Sequence, residues 1–184
     1  MKQLFQKSNT SKVLAYFLKA PGSEVYLREL ARNLRMNPST ALRSLLVLEK
    51  EGLVVRRDER HVSFFKAIAS PKFRALKVAQ TVSLFEKKRI AEFVSENSQG
   101  FASLLLYGSA AKGEDDSESD YDFLLIASGT KVRPHELSEM LGREVNMQRY
   151  SISGWKEVSR RNRAFYLEVI TNSIALKGEK PVID

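Results

Sequence analysis

Gly108-Ser109 and, after a ten-residue gap, Asp120-Tyr121-Asp122 are the residues of this 184-residue chain whose types and spacing best suit chemistry. A glycine that follows a strand lets the backbone approach a phosphate with no side chain in the way, and the Ser109 hydroxyl can donate to the same oxygens. Carboxylates two residues apart on a strand point to one face. Two hard oxygen ligands beside a nucleoside triphosphate suit Mg²⁺ or Mn²⁺, which would neutralise developing charge and align an attacking hydroxyl for in-line phosphoryl or nucleotidyl transfer. The competing reading is a solvated acidic turn, which Glu114, Asp115, Asp116 and Glu118 alone would make. The flanking runs favour the site: residues 104–107 and 123–126 are apolar and of strand length, so two strands joined by this loop would bring Gly108 close to Asp122.

With Ala111-Lys112-Gly113 after the glycine-serine turn and Ser119-Asp120-Tyr121-Asp122 ahead of a hydrophobic strand, the segment resembles the signature of the minimal nucleotidyltransferases, small members of the polymerase-beta-like superfamily. The resemblance covers residues 98–184. It implies a small mixed sheet flanked by helices, a bound nucleoside triphosphate and two metal ions. Gly108, Ser109 and Lys112 would then bind the nucleotide, and Asp120 and Asp122 the metals. That family carries a third carboxylate on the next strand, and here Gly142-Arg143-Glu144-Val145-Asn146-Met147 occupies the place, with the expected aspartate falling on Asn146. An amide oxygen can coordinate a metal, but it brings no negative charge and cannot take a proton from the attacking hydroxyl. Glu144, two residues earlier, shares a strand face with Asn146 and is the candidate substitute in the catalytic set. Such transferases are often encoded with a separate helical partner that they modify, so the resemblance also implies a protein acceptor on another chain.

The wider composition sets the frame for that site. Hydrophobic content of 43% is ordinary for a globular protein, and the absence of cysteine excludes disulfides and thiolate metal sites. The longest apolar stretch near the N-terminus, residues 13–18, lies between Lys12 and Lys19 and is too short for a signal-peptide core or a membrane span. The expectation is a cytoplasmic protein with no membrane partner. The formal charge of +8 is uneven: residues 1–70 hold 13 Lys and Arg against 6 Asp and Glu, whereas residues 71–184 are near neutral. A polyanion-binding module joined to a near-neutral second domain would show that distribution.

The first 70 residues carry their own pattern. Lys12 to Ala20 is a short apolar helix stopped by Pro21-Gly22, and Leu27, Leu30, Ala31 and Leu34 recur at helical spacing. Asn37-Pro38 is an N-cap followed by proline at the first helical position; Ala41, Leu45 and Leu48 stripe the helix it starts, and Gly52 ends it. Residues 53–55 and 62–65 read as two strands joined by the charged tip Arg56-Arg57-Asp58-Glu59-Arg60. The run from Tyr26 to Phe65 is similar to bacterial and archaeal winged-helix regulators. That resemblance implies groove contacts with DNA from Ser39, Thr40 and Arg43, and phosphate contacts from Arg56, Arg57 and Arg60. Winged helices also serve as interaction modules. Leu42, Leu46 and Val47 lie off the main stripe and are suited to a partner or to the second domain. The histidines, His61 in the wing and His135 near a helix start, read as surface residues.

The expected fold is α+β: a winged helix over residues 1–70, a connecting helix over 71–97 and a transferase-like mixed sheet flanked by helices over 98–184. The connecting helix either leads into the second domain or makes a homodimer; its apolar repeat is not a clean heptad, which favours the first. Residues 134–141 and 153–173 are expected as two further helices, the second bearing Arg160, Arg161 and Arg163. Two functions follow. One is a DNA-binding enzyme that transfers a nucleoside monophosphate to a hydroxyl. The alternative is a transcriptional regulator whose transferase-like domain has lost turnover and senses nucleotide, a reading favoured by Asn146.

Overall fold

The computed structural model describes residues 8–60 and 62–183, so the expectation for His61 lies outside the described residues. The architecture is α+β, and the chain separates into two units, residues 1–77 and 78–184.

In the first unit, Ser8 opens helix α1 (Asn9–Lys19), its Oγ accepting from the Ser11 amide. Strand β1 (Glu24–Tyr26) leads into α2 (Leu27–Asn33) and then α3 (Pro38–Lys50). As the sequence suggests, Asn37 caps α3 through its side chain and Pro38 supplies the first turn, where no amide donor is needed. The chain reverses at Gly52, in the left-handed region at φ 69°, and enters β2 (Val54–Glu59) and β3 (Val62–Ala67). The sheet is antiparallel with order β1-β3-β2. Val13, Phe17, Leu30, Leu45, Leu48, Phe65 and Phe73 form its core. The hairpin is longer than the sequence suggested: Arg56 to Glu59 belong to β2 rather than to the tip. Opposite charges at i and i+2 share a strand face, so Arg56 meets Asp58 at 3.0 Å and Arg57 meets Glu59, which favours the extended backbone.

The expected single helix over 71–97 is two helices. α4 (Pro71–Lys87) stops where Arg89 adopts a left-handed conformation at φ 54°, and α5 (Ile90–Glu96) restarts in a new direction. On one straight helix Phe85 and Ile90 would point about 140° apart. The break lets both be buried in the same core.

Beyond α5 come β4 (Ser98–Gln99), β5 (Ser103–Tyr107), the short helix α6 (Gly108–Lys112), β6 (Tyr121–Ile126) and β7 (Gly129–Thr130). Then follow α7 (Pro134–Leu141), β8 (Val145–Tyr150), α8 (Ile152–Arg161), α9 (Arg163–Asn172) and β9 (Ile174–Gly178). β4 pairs with β7 as a small ribbon, and the main sheet has order β8-β6-β5-β9. β6 and β8 run parallel and the other pairs antiparallel, giving the mixed sheet expected. Strand alternation divides its side chains between two cores. Leu104, Leu106, Phe123, Leu125 and Val145 face Phe85, Ile90 and Leu137, whereas Leu105, Leu124 and Ile126 face Trp155, Tyr166 and Val169. The second helix, expected as one run over 153–173, is also split, because Asn162 ends α8 and its side chain caps α9 by accepting from the Phe165 amide. Among the described residues, no helix is long and apolar enough to cross a membrane.

Candidate functional site

The site begins where β5 ends. Tyr107 is registered opposite Asp122 on β6, and Asp122 opposite Asn146 on β8. The three side chains therefore form a row across three neighbouring strands, on the sheet face that also carries Leu105 and Leu124. Immediately after Tyr107 the backbone turns at Gly108 with φ 73°, and a Cβ there would collide with Asp122 Oδ2. Glycine is needed twice over: for the left-handed backbone and for the carboxylate that lies against it.

Asp120, just ahead of β6, completes the acidic pair. The Asn146 amide Nδ2 donates to Asp120 Oδ2 at 3.1 Å and to Asp122 Oδ1 at 3.4 Å, so one neutral group bridges two carboxylates. Burial pushes the Asp122 carboxyl above the usual aspartate range; the bond from Asn146 opposes that shift and the charge of Asp120 adds to it. The half-buried Tyr107 phenol is pushed up to about 12 by burial first, then by Asp122 and Tyr150. Aromatic rings wall the face beside the row: Tyr107 meets Phe165 edge-on at 5.6 Å, and Tyr150 meets Trp155 at the same separation.

The structure brings Gly108, Asp120, Asp122 and Asn146 together, and treats the remaining expected residues differently. Ser109 lies in the first turn of α6, its carbonyl accepting from the Glu114 amide at 2.9 Å. Lys112 ends that helix and pairs with Glu168 on α9 at 2.5 Å, so its ammonium is committed there. Glu144 is exposed one residue before β8; its carbonyl accepts from the Tyr121 amide at 2.9 Å, and no bond joins its carboxylate to the acidic pair among the described residues. Nor do the described residues contain a group of three or more His, Cys, Asp or Glu able to hold a metal. The available donor set is two carboxylates and an amide. It fits a hard cation that takes its other ligands from substrate phosphates and water.

Two residues that matter to this geometry carry no local sequence signal. Asp115, which reads as one member of a solvated acidic run, has a side chain only 2% exposed and pairs with Arg143 at 2.8 Å. The partners are 28 residues apart, and nothing in the spacing links them.

In the first unit, the exposed Ser39 gives both its amide and its hydroxyl to Asn37 Oδ1 at 3.0 Å, and Thr40 is partly buried. Arg43 is exposed, with only a 3.4 Å contact from Nε to the Ser39 carbonyl. On the wing, Arg57 is held by Glu24 at 2.9 Å and by Glu59, and lies 5.0 Å over the Phe64 ring. That pairing keeps the Glu24 carboxyl below its usual range. Arg56 is paired with Asp58, while Arg60 stands exposed at the turn with φ 44°. Leu46 and Val47 are exposed on α3, whereas Leu42 packs against the core.

Residues 87–175 match the family model of the nucleotidyltransferase domain, and residues 8–58 match that of the IclR helix-turn-helix domain. The chain thus carries one domain of each kind. No curated protein matches it significantly. Among solved structures, a toxin-antitoxin with AMP-PNP is similar at 16% identity and a TM-score of 0.37, covering 56% of this chain and 74% of that one. A mutant of the toxin-antitoxin MntA-HpeT is similar at 15% identity and a TM-score of 0.36, with the same coverage. Likenesses this remote say nothing of what the present chain binds or modifies.

Proposed function

We propose that this chain, which joins an IclR helix-turn-helix domain to a nucleotidyltransferase domain, binds DNA through the first and, through the second, transfers a nucleoside monophosphate from a nucleoside triphosphate to a hydroxyl. The observation that carries the reading is the row Tyr107–Asp122–Asn146 with Gly108 against Asp122 Oδ2. The Asp122 carboxylate is thereby held beside a turn with no side chain, and the Asn146 amide ties Asp120 to it.

In this reading Gly108 and Ser109 offer backbone and hydroxyl donors to the phosphates. Asp120 and Asp122 hold Mg²⁺ or Mn²⁺, and Asn146 adds its Oδ1 once the amide is turned over. When bound, the cation supplies charge neutralisation on the phosphates and orientation of the attacking hydroxyl. The acceptor oxygen attacks the α-phosphorus, the bond to the bridging oxygen breaks, and pyrophosphate leaves. The acceptor proton passes to solvent, because Asp120 and Asp122 are both taken up as ligands and a carboxylate beside a dication is a weaker base. The acceptor we assign is a hydroxyl on a separate protein chain, in keeping with the family resemblance of residues 98–184. The DNA interface is the exposed face of α3 bearing Ser39 and Arg43, with Arg60 at the wing turn.

One observation favours a second reading. With the Asn146 amide bridging both carboxylates, the site is one negative charge short of a three-carboxylate centre. The domain then binds nucleotide without turnover and reports it to the DNA-binding module, as a transcriptional regulator would. Incubation with labelled nucleoside triphosphates, Mg²⁺ and candidate partner proteins separates the two. Label transfer that disappears in the Asp120→Ala, Asp122→Ala double variant supports the enzyme. Tight nucleotide binding with no transfer to any acceptor supports the sensor and overturns the enzyme.

A further inference from the structure

Three groups at the start of β8 grasp the three consecutive residues 119–121. The Arg143 guanidinium takes the Ser119 carbonyl, the Glu144 carbonyl takes the Tyr121 amide at 2.9 Å, and the Asn146 amide takes the Asp120 carboxylate at 3.1 Å. Arg143 reaches furthest. Besides Ser119 it donates to Asp115 Oδ2 at 2.8 Å and to the Asp116 carbonyl at 2.6 Å, and its guanidinium lies 4.3 Å over the Tyr121 ring. The loop it holds is closed on itself, because Asp116 Oδ1 accepts from the Glu118 and Ser119 amides at 3.0 Å and from the Ser119 hydroxyl at 2.8 Å.

We propose that Arg143 is the positioning residue for Asp120, setting the carboxylate by clamping its two chain neighbours, Ser119 and Tyr121, to the strand that supplies Asn146. The proposal rests on the reading of Asp120 as a metal ligand. Two features set Arg143 apart from a substrate contact. Its Nε and both terminal nitrogens already donate to protein oxygens, and its side chain is only 16% exposed, against an Asp115 side chain at 2%. A planar fork is required, since a lysine ammonium cannot span three acceptors and lie over a ring at once. The clamp is thus directed at the protein side of the centre.

The test is Mn²⁺ titration of the full chain, with free ion read by electron paramagnetic resonance, for the native protein and the variants Arg143→Gln, Arg143→Lys and Asp120→Asn. Nucleotide affinity without metal is measured in parallel. Arg143→Gln is expected to weaken Mn²⁺ binding by about 10-fold or more, the usual scale for residues that orient metal ligands, with metal-free nucleotide affinity unchanged. Arg143→Lys is expected between Gln and native, and Asp120→Asn to lose the ion. Native-like Mn²⁺ affinity in a folded Arg143→Gln protein overturns the proposal, as does an equal loss of metal-free nucleotide binding, which marks a general structural defect. Should Arg143→Gln not melt cooperatively, Asp115→Asn decides on the same reading: weakened Mn²⁺ binding supports the clamp and native affinity overturns it. Absence of Mn²⁺ binding by the native chain would be a different failure, overturning the metal site itself and the clamp with it.

Discussion

Gly108 and Asp122 are matched in space: a Cβ on Gly108 would collide with Asp122 Oδ2, so one of the two would have to shift. Backbone and carboxylate are matched at this point. Gly108→Ala is therefore expected to cost about 1–2 kcal/mol for the left-handed backbone alone, with a further loss from displacing Asp122. Urea unfolding reads the first effect and Mn²⁺ affinity the second; an alanine variant with native stability and metal affinity would contradict the match.

Asp122 should make the metal-free protein less stable as pH rises. Its folded pKa is raised, mainly by burial, so in the window between the ordinary aspartate value and the folded value the native state binds more protons than the unfolded state. Stability then falls as pH increases through that window. Asp122→Asn removes the effect: its Tm should exceed the native value at neutral pH without metal, and the difference should vanish below the ordinary aspartate range. A Tm difference that does not change with pH would show that the carboxyl charge is not responsible. Metal affinity should fall on acidification from a higher pH than an ordinary aspartate would give.

Asn146→Asp places a third carboxylate against two others. Without cation the variant should melt below the native protein, and added Mg²⁺ should raise its Tm by more. At 100 times the Kd, ligand binding contributes about 2.7 kcal/mol of stabilisation, enough to separate the two responses in a thermal melt. If the native domain senses nucleotide without turnover, this variant should also gain label transfer. Equal Mg²⁺ responses would place Asn146 outside the cation's reach.

On the DNA side the arginines should divide by their partners. Arg43→Ala is expected to lose about 1–3 kcal/mol of discrimination between sites, as a base contact would. Arg60→Ala should reduce the slope of log affinity against log salt by about 0.9, one phosphate contact. Arg57 is held by Glu24 and Glu59, so Arg57→Ala should leave that slope closer to native while lowering the stability of the first unit slightly. Binding isotherms over a salt series and urea unfolding check all three.

What could be read from the sequence was local in the chain. Asn37-Pro38 marks a helix start by its own capping chemistry, and the strands around Gly108 and Asp122 follow from apolar runs on either side of a polar loop. The break at Arg89 was not legible, because it falls at neither a proline nor a glycine and lets Phe85 and Ile90 enter one core, whereas the break at Asn162 carried a capping signal that the longer helical pattern around it masked. Partner choice was hidden as well: Lys112 finds Glu168, Arg57 finds Glu24, and Arg143 finds Asp115 across the fold. Charges that look like phosphate ligands or solvated acids along the chain become ion pairs once strands and loops are brought together.

Asn146 lies on β8, which among the described residues pairs in the main sheet with β6 alone. The strands β5, which leads into Gly108, and β6, which carries Asp122, each have neighbours on both sides, and Asp122 lies between the glycine and the amide. Asn146 is thus the member of the row that stands on an outer strand of the sheet. On the sensor reading, a carboxylate at this margin is the single change that would give the centre its third negative charge, at the cost of the two bonds Asn146 now makes.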